Sequence, residues 1–421
     1  MRGRTVIIGG GLAGLAAASL FERRGEDYIL LERSDHWGGK MHTIQHEDYR
    51  LDLGFQVLLS GYPSIKALML PPVLKELEPC YFDSGALLLK GDHNYRLSNP
   101  LLHFADVWHT LTCPLLSWGD RFRVLGLLIR LWGYDLAEAL EEKEWSTETT
   151  LQYLTQFGFS ENFIQHFIKP FFGGVFGEAE LETRAGVFMF CFLAFARGQV
   201  FIPKRGVGAF GELIASKISR KKLRTEVLKI EKSPSGAGLE VICKDDQKYQ
   251  ADKVILATGL EAVCELIGLE APLDLRQTYT CLYFQSEISL YPDRKLFLNA
   301  NPGGLISFGA QLNNIGIDSP EYLITVTVLT EKEKLEEKVK VELEALFPQC
   351  KDRLHFIKSL QLKGEGGLLK ADLISKQKID LLVAQIKERL PSGIMLAGEY
   401  HAAFSNQELT ISSTWNSLLR G

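Results

Sequence analysis

Three glycines and one glutamate carry the first recognisable chemistry in the chain. Gly9, Gly11 and Gly14 fall as GxGxxG inside VIIGGGLAGLAAASLF, and Glu32 follows roughly 20 residues on. The first glycine allows a tight turn, the second lets main chain lie against a diphosphate, and the third lets helix and strand cross closely. A helix that opens there aims its N-terminal NH groups at the anion. A carboxylate at the position of Glu32 is placed to take ribose hydroxyls.

Those groups need a strand, a helix and a second strand to hold them. Thr5 to Ile8 is β-branched, as a buried strand should be. Apolar residues then continue at helical spacing to Phe21, and Gly25 supplies a stop. Tyr28 to Leu31 reads as the second strand, with Glu32 at its end. Two other readings compete. Arg2 and Arg4 ahead of an apolar run containing Ala16, Ala17 and Ala18 have the pattern of a signal peptide. The run could also anchor in a membrane, but it ends at Glu22-Arg23-Arg24, short of the ~20 apolar residues a span needs. The glycine spacing, the second strand and the acid together favour the dinucleotide unit over a cleaved leader.

The bulk composition fits a globular chain of two or three domains: 421 residues, 46% hydrophobic and 24% charged. A net charge of -5 and the lack of any long basic run give no reason to expect nucleic acid. The seven cysteines are scattered without a CxxC, which reads as reduced thiols in a cytosolic protein. His42 and His46 stand four apart, yet Thr43-Ile44-Gln45 between them reads as strand, so no metal site is expected. Serines near glycine, as in SGYPS, lack the setting of a nucleophile elbow.

Beyond Glu32 the chain continues RSDHWGGKMHT and then YRLDLGFQVLL. LERSDHWGGKM resembles the E-x-x-x-x-x-G-G-R segment of the flavin amine oxidase and phytoene desaturase superfamily, FAD enzymes that also include protoporphyrinogen oxidase. LDLGFQV resembles their D-x-G segment. TEVLKIE, ADKVILATG, IMLAGEYHAAFSNQELTISSTW and GFSENFIQHFIKPFFGGVFGEAELETRAGVFMF continue the likeness in order, the last resembling bacterial phytoene desaturase-like members. The resemblance implies an α/β fold, with a Rossmann-type FAD-binding domain and an interleaved α+β substrate domain made of a mixed sheet and a helical cap. It places FAD contacts at Gly9, Gly11, Leu12, Ala13 and Gly14, at Glu32 and Arg33, at Gly38, Gly39 and Lys40, and at Gly54, Phe55 and Gln56. It further implies Val227 against adenine, Ala257 and Thr258 after a strand, and Gly398 and Glu399 on the ribityl phosphate side. Gln407 and Leu409 would open a helix aimed at the pyrimidine end of the flavin.

The chain departs from that pattern in places. Lys40 replaces an arginine, keeping the charge but losing the planar fork. The last helix carries Glu408-Leu409 and Ser412-Ser413 where the family commonly has Gly-Ala and Ser-Gly, and a carboxylate near the pyrimidine would disfavour anionic reduced flavin. An Ala-Leu-Pro stretch before the last strand is missing. A second GxGxxG, Gly206, Gly208 and Gly211 in FIPKRGVGAFGELIASKI, would suit an NADPH site, but Pro203 and Lys204 before it are poor for a buried parallel strand.

In this reading residues 1-75, 200-270 and 385-421 form the FAD-binding domain, and 76-199 and 271-384 form the substrate domain. The first insertion is largely helical after Asn99. The second holds strand-like runs and a helix in TEKEKLEEKVKVELEALF, with Thr330 as its cap, and EKSPSGAGLEV reads as a hairpin turn. DRFRVLGLLIRLWGY is either a core helix or an interfacial helix at a tunnel mouth, with arginines toward lipid headgroups. The expected protein is a cytoplasmic FAD-dependent oxidoreductase with peripheral membrane contact. It takes a small lipophilic substrate, isoprenoid or carotenoid first and tetrapyrrole next, and passes hydride to flavin N5. The alternatives are an amine oxidase, for which Tyr400 is one candidate of an aromatic pair and Lys363 or Lys370 a candidate lysine, and a catalytically weakened FAD-binding scaffold or redox sensor. No catalytic residue and no oligomeric state is assigned.

Overall fold

In the computed structural model, residues 4–68, 71–98, 107–145, 147–234, 236, 238–271, 275–330, 333–363, 367–401 and 406–420 are described. Strand β1 (Thr5–Ile8), helix α1 (Leu12–Arg24) and strand β2 (Tyr28–Leu31) form in the order that the pattern required. Gly25 ends α1 in the left-handed conformation, its NH returning to Glu22 and Phe21 carbonyls. Both strands are buried on both faces, so their side chains alternate between two cores. Ile7 and Leu30 pack toward α1, while Val6, Ile8, Ile29 and Leu31 pack into a second core with Ile379, Val383 and Ile386 of the helix Leu373–Arg389. Residue 385 therefore lies within one continuous helix.

A five-stranded parallel sheet continues this unit. Strand β3 (Lys221–Lys222) joins β2, β4 (Lys253–Leu256) joins β1, and β5 (Ile394–Leu396) joins β4. Three of its strands thus come from far along the chain. A separate seven-stranded mixed sheet draws on both insertions. Gly85–Lys90 pairs in parallel with Leu296–Asn299, and the other neighbours run antiparallel. Val227–Lys232, Leu239–Cys243 and Lys248–Ala251 make a small antiparallel sheet, with EKSPSGAGLEV at its first hairpin.

The helical region of the first insertion includes α2 (Trp118–Leu131), opened by a capping box between Ser117 and Asp120. A ten-residue π-helix, Ile164–Gly173, follows with Pro170 inside it, and then α3 (Ala185–Arg197), buried through most of its length. Among the described residues no helix is long and apolar enough to cross a membrane. The helix expected after Thr330 begins later, as Leu335–Leu346. Its cap position is Lys334, held in the left-handed region, and Thr330 does not cap it.

The second glycine motif precedes α4 (Gly208–Ser216) but builds no nucleotide-binding unit. The strand before it, Val200–Pro203, runs antiparallel to Leu58–Leu59 and Pro79–Tyr81. The N-terminus of α4 faces protein: Val207 NH donates to Asp52 (3.0 Å) and Gly208 NH to Thr43 (2.9 Å). Asp52 supplies the negative charge that a phosphate would bring. Burial pushes its carboxyl up to about 6, against the pull of the Thr43 and Val207 bonds. Gly211 meets Gly38 main chain, where an added Cβ would stand 2.6 Å from Gly38 Cα. The final helix, α5 (Gln407–Arg420), lies against α1, with Trp415 Nε1 donating to Ala16 O at 3.0 Å.

Gly211→Ala is expected to push α4 off the Gly38 loop and lower unfolding stability by about 1–3 kcal/mol, read from denaturant curves. NADPH is expected to leave the melting temperature of the unaltered protein unmoved. A shift on NADPH addition that the substitution abolishes would restore the second-nucleotide reading.

Candidate functional site

The carboxyl ends of the parallel strands open into one cavity of about 1030 Å³. Open α/β sheets place ligands at this edge. Gly9, Gly11, Leu12 and Ala13 line it from the first turn, Glu32 and Arg33 from the end of β2, and Gly38, Gly39 and Lys40 from the following loop. Phe55 and Gln56, Val227, Ala257 and Thr258, Gly398 and Glu399, and Gln407 complete this region of the wall. Segments separated by hundreds of residues meet here as the resemblance implied. Three of the expected positions stand behind the wall. Gly14 packs so closely that an added Cβ would sit 1.8 Å from Gly9 O, Gly54 faces Leu362 and Tyr279, and Leu409 is buried in the core around α1.

The turn is built for close approach. Gly9 adopts φ +106°, beside Ala257 O, a conformation that disfavours a side chain. At Gly11 an added Cβ would meet only Gly39 Cα, 4.0 Å away. Glu32 accepts from Gly10 NH with one oxygen and from Ser34 NH (2.7 Å) with the other. Each oxygen keeps a further lone pair. Thr258 Oγ1, also in this wall, is buried without a hydrogen-bond partner. A glycine cradle, an acceptor pair and an unmatched hydroxyl together fit a dinucleotide.

Lys40 differs from its expected diphosphate role. Its Nζ donates to both oxygens of Glu399 (2.8 and 2.9 Å) and to Gly367 O (2.9 Å). Arg276, which sequence reasoning missed, grips both oxygens of Glu261 (each 2.7 Å) and one oxygen of Glu399 (2.6 Å), and also donates to Gly367 O. Burial alone would raise the Glu399 carboxyl, but the two cations hold it down at about 2. Burial lowers Lys40, with Glu399 only partly offsetting it, and burial also works against the charge on Arg276, where the two carboxylates outweigh it. The quartet ties the Gly38 loop to α5's approach and to the strand Arg276–Gln277. Its sequence signal is weak, because the partners lie up to 359 residues apart.

The C-terminal helix also differs from expectation. Glu408 turns from the cavity and buries its carboxylate on Ser64, accepting from Ser64 N (2.9 Å) and Oγ (2.8 Å). Burial raises that carboxyl. The residues presented to the cavity are Asn406, Gln407 and Thr410. Asn406 caps α5, accepting from Glu408 NH (2.8 Å), and its amide donates to Tyr62 OH (3.0 Å). A Ser-Asn before a helical run is the signal that could have found it. Tyr400 is buried away from the cavity, its hydroxyl donating to Leu256 O and Ala397 O. Neither Lys363 nor Lys370 lines the cavity.

The same cavity continues between aromatic side chains. Phe159, Phe163, Phe167, Phe171 and Phe172 line it from the π-helix and the turn before it, and Phe188, Phe192 and Phe195 from α3. Phe163, Phe167 and Phe171 stack in succession, with centroids 5.3 and 5.9 Å apart. Trp118, Phe122 and Leu125 of α2 both line the wall and face solvent, so the cavity opens there.

A dinucleotide cradle at a parallel-sheet edge, joined to a large apolar chamber, defines a nucleotide-cofactor oxidoreductase. Residues 12–293 match the profile of the flavin containing amine oxidoreductases. The chain belongs to that family, whose members are FAD-dependent oxidoreductases. It is 34% identical over 101 residues to a 1-hydroxycarotenoid 3,4-desaturase of Flavobacterium sp. (strain P99-3), across 24% of this chain and 18% of that one. It is 25% identical over 186 residues to coproporphyrinogen III oxidase of Propionibacterium freudenreichii, across 41% and 31%. The matched stretches thus span less than a third of these relatives. A solved fatty acid isomerase from P. acnes, described as producing CLA, shares the fold at TM-score 0.67 and 18% identity, over 99% of this chain and 98% of that one.

Glu32→Ala is expected to weaken FAD binding roughly ten- to hundredfold, the scale of about 1.5–3 kcal/mol for hydrogen bonds to a charged group. Fluorescence titration of the apoprotein checks this, and an unchanged affinity would remove Glu32 from the site. Glu399→Gln leaves the buried Arg276 and the part-buried Lys40 each short of one charged partner and is expected to cost about 2–3 kcal/mol near neutral pH. The folded Glu399 carboxyl lies below its ordinary value of 4.5. Its stabilisation is therefore complete above that value and lost as pH falls toward about 2. The stability gap between the two proteins should narrow across that window, and a gap independent of pH would contradict the quartet.

Proposed function

We propose that the protein dehydrogenates an apolar substrate with FAD as hydride acceptor, taking isoprenoid or carotenoid-like compounds first and tetrapyrroles second. The carrying observation is the continuity of one cavity from the glycine cradle to the wall of phenylalanines. In this reading main chain at Gly11 and Gly39 lies along the diphosphate, Glu32 takes the ribose, Val227 meets adenine, and Thr258 offers its unmatched hydroxyl to the cofactor. Glu399 acts with its charge already matched, as an acceptor for a ribityl hydroxyl rather than as a free anion. The bound flavin supplies the hydride acceptor at N5.

The protein's own contribution is placement. The phenylalanines bring no proton donor or acceptor, so they hold an apolar substrate by shape and exclude water around the reacting carbon. Gln56, Asn406, Gln407 and Thr410 supply the polar groups near the cradle. A small ammonium substrate finds less support, because Tyr400, Lys363 and Lys370 all stand outside the wall. The scaffold alternative loses its main motive, since Glu408 spends its charge on Ser64.

The test is anaerobic mixing of the FAD-loaded protein with a detergent-solubilised polyene, a porphyrinogen and a small amine, following the flavin absorbance. Bleaching by the polyene or porphyrinogen is the expected result. A flavin reduced only by the amine would overturn the substrate class, and one that no substrate reduces would favour the scaffold.

A further inference from the structure

Five large apolar side chains on α2 face solvent: Trp118 (62% exposed), Phe122 (69%), Leu125 (49%), Ile129 (67%) and Trp132 (76%), the last at its cap. Their spacing of i, i+4, i+7, i+11 and i+14 puts them in one arc of roughly 80°. Leu127 and Leu131, on the opposite side, are buried and already attach the helix to the core. Nearby Trp108 is 71% exposed, so three of the six tryptophans in the chain stand at this one surface. Exposed apolar patches of this extent mark interaction sites.

We propose that this face of α2 docks on an anionic lipid bilayer and holds the cavity mouth against it. Tryptophans at both ends of an apolar stripe, with Arg121 at its margin, suit the headgroup boundary. Arg121 stacks on Trp118, with its guanidinium carbon 4.8 Å from the ring centre. The helix carries Arg121, Arg123 and Arg130 against one acid, Asp120, which is buried and taken up by Ser117 and Ser160. Arg130 pairs with Glu144, but among the described residues no carboxylate bridges to Arg121 or Arg123. Arg121, whose guanidinium also donates to Thr110 O and Cys113 O, is the cation placed beside the stripe to meet an anionic headgroup. At 14 residues the helix is about 21 Å long, enough to lie in the interface and too short to cross it. Because Trp118, Phe122 and Leu125 also line the cavity, an apolar molecule leaving the bilayer would enter without crossing water.

The experiment sediments the FAD-loaded full chain with vesicles of phosphatidylcholine containing phosphatidylglycerol, at low salt, beside vesicles of phosphatidylcholine alone. Capture by the anionic vesicles, with a blue shift of tryptophan emission, is expected. Ile129→Glu with Trp132→Glu should reduce capture at least tenfold. These residues do not line the cavity, so flavin content and flavin bleaching in detergent should stay as in the unaltered protein. No capture, equal capture of the double variant, or equal capture by the uncharged vesicles would overturn the proposal. So would a vesicle-independent dimer that the double variant dissolves. A failure of bleaching with vesicle capture intact would count against the substrate reading alone.

Discussion

Main chain lies directly on main chain at a series of glycines, and the site depends on that contact. Gly14 admits nothing between itself and Gly9 O, and Gly9 sits beside Ala257 O at the end of β4. Gly38 NH donates to Gly10 O at 2.9 Å, Gly39 faces Gly11, and Gly211 presses on Gly38 from α4. The run therefore reaches from the parallel sheet through two loops to a helix two hundred residues away. A side chain at most of these points would push apart backbones that the cavity wall needs together. The second glycine motif belongs to this series. Its glycines serve the first site from behind and hold no nucleotide of their own.

Local signals were the legible ones. β1, α1, β2 and Glu32 could be read because strand propensity, glycine spacing and the Gly25 stop act over a few residues and agree with one another. The stripe on α2 was also present as a helical period, though its outward direction depends on what the rest of the insertion covers. Side-chain direction at the C-terminal helix could not be read in the same way. Whether Glu408 or Gln407 faces the cavity depends on Ser64, which offers two donors from 344 residues away. Tyr400 was likewise decided in part by a distant carbonyl, Leu256 O, and Lys40 by a carboxylate and a carbonyl more than three hundred residues away.

The two halves of the cavity are built on different physics. Around the cradle, charge is matched inside the protein before any ligand arrives: Glu399 by Lys40 and Arg276, and Glu32 partly by two backbone NH groups. Burying charge in this way is tolerable only when each partner is present, which favours a fixed geometry. Around the phenylalanines the wall is uncharged, and its shape rests on ring contacts along a π-helix, a wide form of helix often found at functional sites. A polar cofactor and an apolar substrate can thus share one space without competing for the same groups.

The order of strands in the parallel sheet bears on how the protein is made. β1 and β2 leave the ribosome before the rest of the sheet; β4 follows after the first insertion, and β5, with the Glu399 carboxylate, only after both. Until then Lys40 has no carboxylate to meet and one edge of the sheet is unpaired. Parallel strands joined over such separations close slowly, and an unfinished edge invites wrong pairing. Cofactor capture accordingly waits for β5, and a nascent chain stalled before residue 394 would display the glycine motif without being able to keep what it binds.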